Sequence, residues 1–536
     1  MKQLCHIILF LGLPIISLAQ QGLKPLKWNT YPIKNEQKSA AFIEVHDLDK
    51  DGIKEVLMTT LIEEGNGFSI PFAGALRVFN PSTSQLNTAQ WVEKTLVSTD
   101  EKLGFINEVF LFDINEDGQE DILLPTGFLS TNGGSLKWLA GPNFTTRQAI
   151  AEETTKGNTL FFWHQVIQLD LDKDGHKDLI TTSTNVSNGP PVVRVEWYRH
   201  LGNGKFEQHI IAHNTGGVFI VAHDFDQDGD YDLALSQFFG GASLIWLEQI
   251  TPPSATNNWQ GQWEQHLIDN TTGLGYAMKV HDIDADGQPE LVYCNHNNQN
   301  NESLVDSTGT PIPSGVYWFE IPNKPDIEAW SKHVISEGFE VTNFDFGNPA
   351  SQGSPGIFDI GDIDENGYPD VILPGDGTKD LYALRQQPNH TFTRETIAKG
   401  TTFGMAKVVD WDKDGDLEVI ATMHNSPANF DQAQNPPPGH IKIYDPVIDK
   451  YQKPWKVTLY PMPIHDKAFI RLNLLRSQKV QVRLFDKFAR PVYSKRFQTT
   501  SGENILELDL SALPPDFYLL KLRTKYRRKI WRVVVK

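Results

Sequence analysis

The chain has 536 residues, 48 Lys and Arg against 67 Asp and Glu, and a formal net charge of −19. So acidic a chain excludes nucleic acid as the expected partner, and no apolar run is long enough to form a transmembrane segment. Of the two cysteines, Cys5 falls in a leader-like start, so only Cys294 remains and an internal disulfide is not expected.

At the N-terminus, Lys2 precedes an apolar stretch over 7–16 and then Ser17-Leu18-Ala19-Gln20. This pattern predicts a secretory signal peptide over 1–20, cleaved after Ala19 or Gln20. A strand-like run follows, Trp28-Asn29-Thr30-Tyr31-Pro32-Ile33. From residue 47 onward a nine-residue acidic loop recurs seven times. Its first copy is Asp47-Leu48-Asp49-Lys50-Asp51-Gly52-Ile53-Lys54-Glu55, with oxygen side chains at positions one, three, five and nine: Asp47, Asp49, Asp51 and Glu55. The next two copies offer Asp113, Asn115, Asp117 and Asp121, then Asp170, Asp172, Asp174 and Asp178. Asp224, Asp226, Asp228 and Asp232 follow, then Asp282, Asp284, Asp286 and Glu290. The last two offer Asp362, Asp364, Asn366 and Asp370, then Asp410, Asp412, Asp414 and Glu418.

Position six is glycine every time, as a sharp turn requires, and 26 of the 28 oxygen positions are carboxylates. Such a concentration of like charge is costly without cations. Hard oxygen ligands without His or Cys suit Ca²⁺, and the spacing is that of the first part of an EF-hand loop. The Glu usual at position twelve is replaced by an apolar run such as Ile122-Leu123-Leu124, so each loop is expected to join two strands. One copy reads equally well as an ordinary acidic turn; seven with the glycine fixed do not. Up to seven structural Ca²⁺ ions are expected, with affinities on the order of 10⁻⁴–10⁻³ M.

Each loop lies within a longer repeat. A strand-like run (A) precedes the loop, a second (B) follows it, then come an aromatic run (C) and a run (D) such as Trp263 to Ile268. Seven A, B and C runs are matched by only six D runs, and the missing one stands in front, at 28–33. A ring of seven four-stranded units whose first strand completes the last unit accounts for this count and removes an open edge. The expected fold is therefore all-β: a seven-bladed β-propeller over 21–450, its N-terminal strand closing the last blade. Residues 25 to about 450 resemble the FG-GAP/VCBS calcium-binding repeats of seven-bladed propellers, which implies the same fold.

Residues 451–536 change character. They carry 19 Lys and Arg against 6 Asp and Glu, alternating with apolar residues in strand-like runs at 468–474, 480–485, 491–497, 505–510, 517–522 and 530–535. This predicts a small C-terminal β-sandwich. Tyr460-Pro461-Met462-Pro463, Leu508-Asp509-Leu510-Ser511 and the basic stretch before the final Val533-Val534-Val535-Lys536 make it similar to the sorting domain of type IX secretion substrates. Met462 and Asp516 depart from that pattern, where Asn and Gly are usual. The resemblance implies handling by the type IX secretion machinery, passage through the periplasm and outer membrane, and release or attachment at the cell surface. A passive β-domain is the plainer alternative.

If A and B are antiparallel neighbours, the acidic loops share one face and the connections after B gather on the other. Loops on a rigid scaffold carry most binding sites. Asn107, Phe128, Phe238, Phe239, Asn295 and Asn297 are placed there as candidate ligand-binding residues. Amides and aromatics suit hydroxyl-rich ligands, so an extracellular glycan or protein is the expected partner; plain loop solubility is the alternative. His164, Tyr276, His296 and His424 fall on the same face and are the candidate catalytic residues. A His and a Tyr there can serve as base and acid in a β-elimination. Propellers of the aldos-2-ulose dehydratase kind are similar and act on sugars, which implies a carbohydrate lyase or dehydratase as the rival reading. No nucleophile motif, phosphate loop or zinc motif is present. A purely structural module of a surface assembly is a third reading. The recurrent His46, His223 and His281 before the loops, and His209, His266 and His333 in the D runs, read as structural groups.

Overall fold

A computed structural model describes residues 25–536, excepting 38, 61–72, 128–132, 153–160, 186–189, 240–242, 298–304, 340–352, 379, 401–402, 424–438, 449–456, 475–478, 489, 501 and 525–527. The expected signal peptide, Phe128 and His424 lie outside the described residues.

The described residues form an all-β structure. In the first sheet, Ala40–His46, Glu55–Thr60, Leu76–Pro81 and Trp91–Val97 pair in chain order as strands A to D. Five more four-stranded sheets of the same order span 110–152, 161–213, 220–269, 275–337 and 359–399. The seventh is different. Phe403–Val409, Glu418–Met423 and Gly439–Val447 supply A, B and C, and the N-terminal strand Lys27–Gln37 supplies D. Trp28 lies opposite Pro446 and Tyr31 opposite Ile443 in that antiparallel pairing. The sequence run at 28–33 thus finds the partner expected of it, over a longer stretch.

Burial explains the sequence pattern. Strand B is wholly buried in the first six sheets, as in Glu55–Thr60 and Asp178–Asn185, so it reads as a continuous apolar or Thr-rich run. Strand D is the outer edge and mostly exposed, as in Trp91–Val97. Buried apolar residues from neighbouring sheets pack together: Leu57 shares a cluster with Ile122, Ile180 with Leu233, and Ile372 with Val419. Side chains also cross between sheets. Asn107 donates its amide to the Trp163 carbonyl at 2.7 Å, and Ile220 donates its N–H to Gln165 Oε1 at 2.8 Å. Thr422 in the seventh sheet donates to the Ala41 carbonyl in the first.

The tail has its own core. Val457–Tyr460, Lys467–Leu474 and Gly502–Asp509 form one sheet. Pro491–Gln498, Lys479–Phe485, Asp516–Arg523 and Arg528–Val535 form the other. Ile470 and Leu508 of the first pack with Val482 and Leu520 of the second, which makes a small sandwich. Val457–Tyr460 is a strand that the alternation at 468–535 did not include.

Candidate functional site

The seven acidic loops share one geometry. Position four lies in the left-handed region each time, from φ 53° at Glu365 to 63° at Gln227. The glycine at position six sits at φ 84° to 98°, which an L side chain would strain. That bend turns the backbone N–H groups inward onto the carboxylates. The first aspartate accepts from the glycine N–H at 2.7–3.2 Å in all seven copies. Position three accepts from the N–H of position five at 3.0–3.2 Å. Position five accepts from that of position seven at 2.7–3.0 Å. The carboxylate at position nine reaches back to the N–H of position two at 2.7–3.1 Å. Where position nine is Asp, its other oxygen accepts from the end of strand C, at Gly141, His200, Gln249 or Gln386.

These bonds leave oxygen atoms converging. In at least four copies, oxygens of positions one, three and nine lie within 4.8 Å of one another, among them those of Asp47, Asp49 and Glu55. One oxygen of Asp47, Asp224, Asp282 and Asp410, the same atom each time, is buried without a hydrogen-bond partner. Burial, aided by the neighbouring carboxylates and opposed by the backbone N–H, pushes Glu55 and Glu290 up to about 7 and Glu418 to about 8. Crowded carboxylates with an orphaned inward oxygen are the donor set a hard divalent cation takes. The residues present fit Ca²⁺. In the third and sixth copies a guanidinium braces the loop. Arg199 pairs with Asp172 at 2.6 Å and Asp174 at 2.8 Å, and Arg385 pairs with Asp364 and, at 2.7 Å, with Glu395.

The loops are also tied to one another. Lys50 of the first donates to the Gly118 carbonyl of the second at 3.2 Å, and Lys173 of the third to Gly229 of the fourth at 3.2 Å. Lys413 of the seventh donates to Gly52 of the first. These contacts put the tied loops side by side, with the last next to the first.

At the other end of the strands stands a group of rings. Tyr276 stacks on His296 at an interplanar angle of 29°, centroids 4.3 Å apart. Phe238 touches both, at 5.8 and 5.9 Å, and Phe239 at 5.1 Å. His164 joins through Phe239 at 6.3 Å and Phe162 at 5.0 Å. Burial holds His164 down at about 3 and His296 at about 4, so both rings are neutral near pH 7. His296 Nδ1 is 2.8 Å from the Pro355 carbonyl; it therefore carries the proton, and Nε2 is left as the basic nitrogen. Burial, then Asp376, raises the Tyr276 hydroxyl well above its ordinary range. Asp376 is itself buried, and burial raises its carboxyl well above the ordinary range. Sequence reasoning missed it, because Asp376-Gly377-Thr378 reads as a turn.

The asparagines are placed differently. Asn295 is fully buried; its amide donates to the Thr272 and Pro313 carbonyls at 2.7 Å, and its oxygen accepts from Gly315 N–H at 2.8 Å. Asn297 accepts from Leu274 N–H and donates toward Ile312 and Pro313. With Asn107 bound to Trp163, these side chains act as struts beneath the surface. The histidines of the D strands stack on tryptophans directly opposite in strand C: His209 on Trp197 at 4.9 Å, His266 on Trp246 at 4.7 Å and His333 on Trp318 at 3.9 Å.

Family comparison agrees with the loop geometry. Residues 170–235 and 362–421 match the model of the FG-GAP-like repeat. Residues 458–536 match the secretion system C-terminal sorting domain, which directs the chain by the type IX route to the cell surface or the extracellular space. No curated protein matches. Among solved structures, an α-L-arabinofuranosidase from Clostridium thermocellum is 10% identical, over 57% of this chain and 97% of that one, at a TM-score of 0.27. A β-fructofuranosidase from Schwanniomyces occidentalis, complexed with fructosyl-erythritol, is 7% identical over 94% and 91%, at 0.32. Dimeric latent PorU from Porphyromonas gingivalis is 10% identical over 75% and 31%, at 0.16. At such scores neither the activity nor the ligand of those proteins transfers to this chain. No helix among the described residues is long and apolar enough to cross a membrane.

Proposed function

We propose that the seven sheets are the blades of one closed β-propeller, that Ca²⁺ in the acidic loops stabilises it, and that the exported ring binds an extracellular ligand on the face opposite those loops. The bond from Lys413 to Gly52 carries the ring reading, because it joins the last loop to the first as the strand Lys27–Gln37 joins the chain's start to its last sheet. A glycan is favoured over a protein as the ligand. The clustered rings of Phe238, Phe239 and Tyr276 offer flat apolar faces, and the imidazoles beside them exchange hydrogen bonds without net charge.

The rival reading, a sugar lyase or dehydratase, is favoured by one observation: Tyr276, His296 and Asp376 adjoin. Against it, His296 and Tyr276 meet face to face rather than along a proton path. Glycan-array binding by the calcium-loaded protein, with a parallel screen for unsaturated sugar products, decides between them. Glycan binding lost in Phe238→Ala, with no unsaturated product, supports the binding protein. Product formation lost in His296→Gln supports the lyase. Neither result overturns both.

A further inference from the structure

The residue three before each loop's first aspartate occupies one register in all seven sheets. Glu44, Phe110, Ile167, Val221, Lys279, Asp359 and Lys407 each lie opposite the eleventh residue counted from that aspartate, such as Leu57 and Ile420. All but Asp359 line a single cavity of about 590 Å³, and the level below adds Glu108, Gln165, Phe219 and Met405. The other six sheets reach this cavity directly and the sixth in chain order through Ile357 and Phe358 just before its first strand, so it lies on the axis of the proposed ring.

Its wall is divided. On one side Lys407 is held by Glu44 at 2.7 Å and Glu108 at 2.8 Å, and Lys279 by Asp359 at 2.8 Å. Val408 N–H fixes the other Asp359 oxygen at 2.8 Å. Burial opposes these charges, but the pairing outweighs it: Lys407 is raised, and Asp359 is held below its ordinary range by Lys279 and Lys407. The facing wall is Phe110, Ile167, Phe219 and Val221. The cavity opens on the acidic-loop side. Tyr231, the eighth residue of the fourth loop, lines it while 47% exposed, and the Lys279 side chain is 40% exposed.

We infer that this axial cavity is a second ligand site, separate from the opposite face, for a neutral polyhydroxy molecule of mono- to disaccharide size. A hydroxyl both donates and accepts, so it bridges an ammonium and a carboxylate that are already paired without unbalancing them. An anionic ligand would add to a wall that already holds three carboxylates against two ammoniums. The apolar wall takes the C–H face of a sugar ring, and the volume lies within the range of small-molecule pockets.

The test uses the full secreted chain with calcium present, titrated with glucose, galactose and myo-inositol, and with glucuronate as the anionic counterpart. Calorimetry or saturation-transfer NMR reads binding. At least one neutral probe should bind saturably, and glucuronate at least tenfold more weakly. Lys279→Met should weaken the neutral probe tenfold or more. Tyr231→Ala, at the exposed rim, should do the same without bearing on folding. In Phe238→Ala the component of binding that Tyr231→Ala removes should remain. No saturable neutral probe, equal binding of glucuronate, or insensitivity to Tyr231→Ala would overturn the second site. Binding lost only in Phe238→Ala would overturn it too, while leaving the opposite face standing.

Discussion

The two ends of the strands differ in how they are built. At one end seven loops repeat the same four hydrogen bonds with nearly the same φ angles, whatever residue stands at position two, four, seven or eight. At the other end, among the described residues, Tyr276, His296, Phe238 and Asp376 each come from one sheet or its connection. Repetition marks what every sheet needs in order to stand. Departure from repetition marks what the molecule does once. The two ends should therefore respond to different perturbations.

Acid should strike the non-repeated end first. Burial holds His296 and His440 down at about 4 and His164 at about 3, against an ordinary 6.5. All three lie at the strand ends away from the loops. The unfolded chain takes up these protons below about 6.5 and the folded chain does not, so stability falls as pH drops. The loss is about 1.4 kcal/mol per pH unit for each histidine between 6.5 and 4. The midpoint of thermal unfolding should drop steadily over that range, and His296→Gln should flatten the slope by one proton. An unchanged slope in that variant would contradict the burial argument.

A single loop carboxylate comes next. Asp178 is fully buried and accepts from Leu171 and His200 N–H at 3.1 and 2.7 Å. Asp178→Asn should lower urea-unfolding stability by about 3 kcal/mol and leave ligand binding unmoved. Smaller again is His266→Ala, which removes a stack on Trp246 and a 2.6 Å bond to Glu248; about 1 kcal/mol is expected. Smallest in stability is Phe238→Ala, half-buried on the opposite end, at under about 1 kcal/mol. Yet this variant should lose glycan binding at least tenfold. If the loop variant lost binding, or the Phe238 variant unfolded, the division between the ends would not hold.

The loops were legible in the sequence because ligand spacing along a nine-residue turn is a local property. So was the N-terminal strand, since counting A to D runs shows one missing. The site was legible only in part. Tyr276 and His296 were placed on the right end by strand direction alone, and they meet. Asn295 and Asn297 follow or end a buried strand, where carbonyls freed from the ladder consume their amides; composition cannot distinguish such a strut from a surface contact. Asp376 was invisible because a residue in a short polar turn carries no local sign that it is buried. The charged wall of the axial cavity was hidden for the same reason: Lys279, Asp359, Lys407 and Glu44 are far apart in sequence and meet only where their first strands converge.

The central claim is that the repeated loops hold divalent cations as structural ties. Its most direct test is thermal unfolding of the chelator-treated chain during calcium titration, with bound ion counted by native mass spectrometry. The account predicts a midpoint that climbs with calcium, each site adding about 2.7 kcal/mol at a hundredfold excess over its dissociation constant, and several ions retained per chain. The same midpoint with chelator and with calcium, and no ion retained, would contradict it.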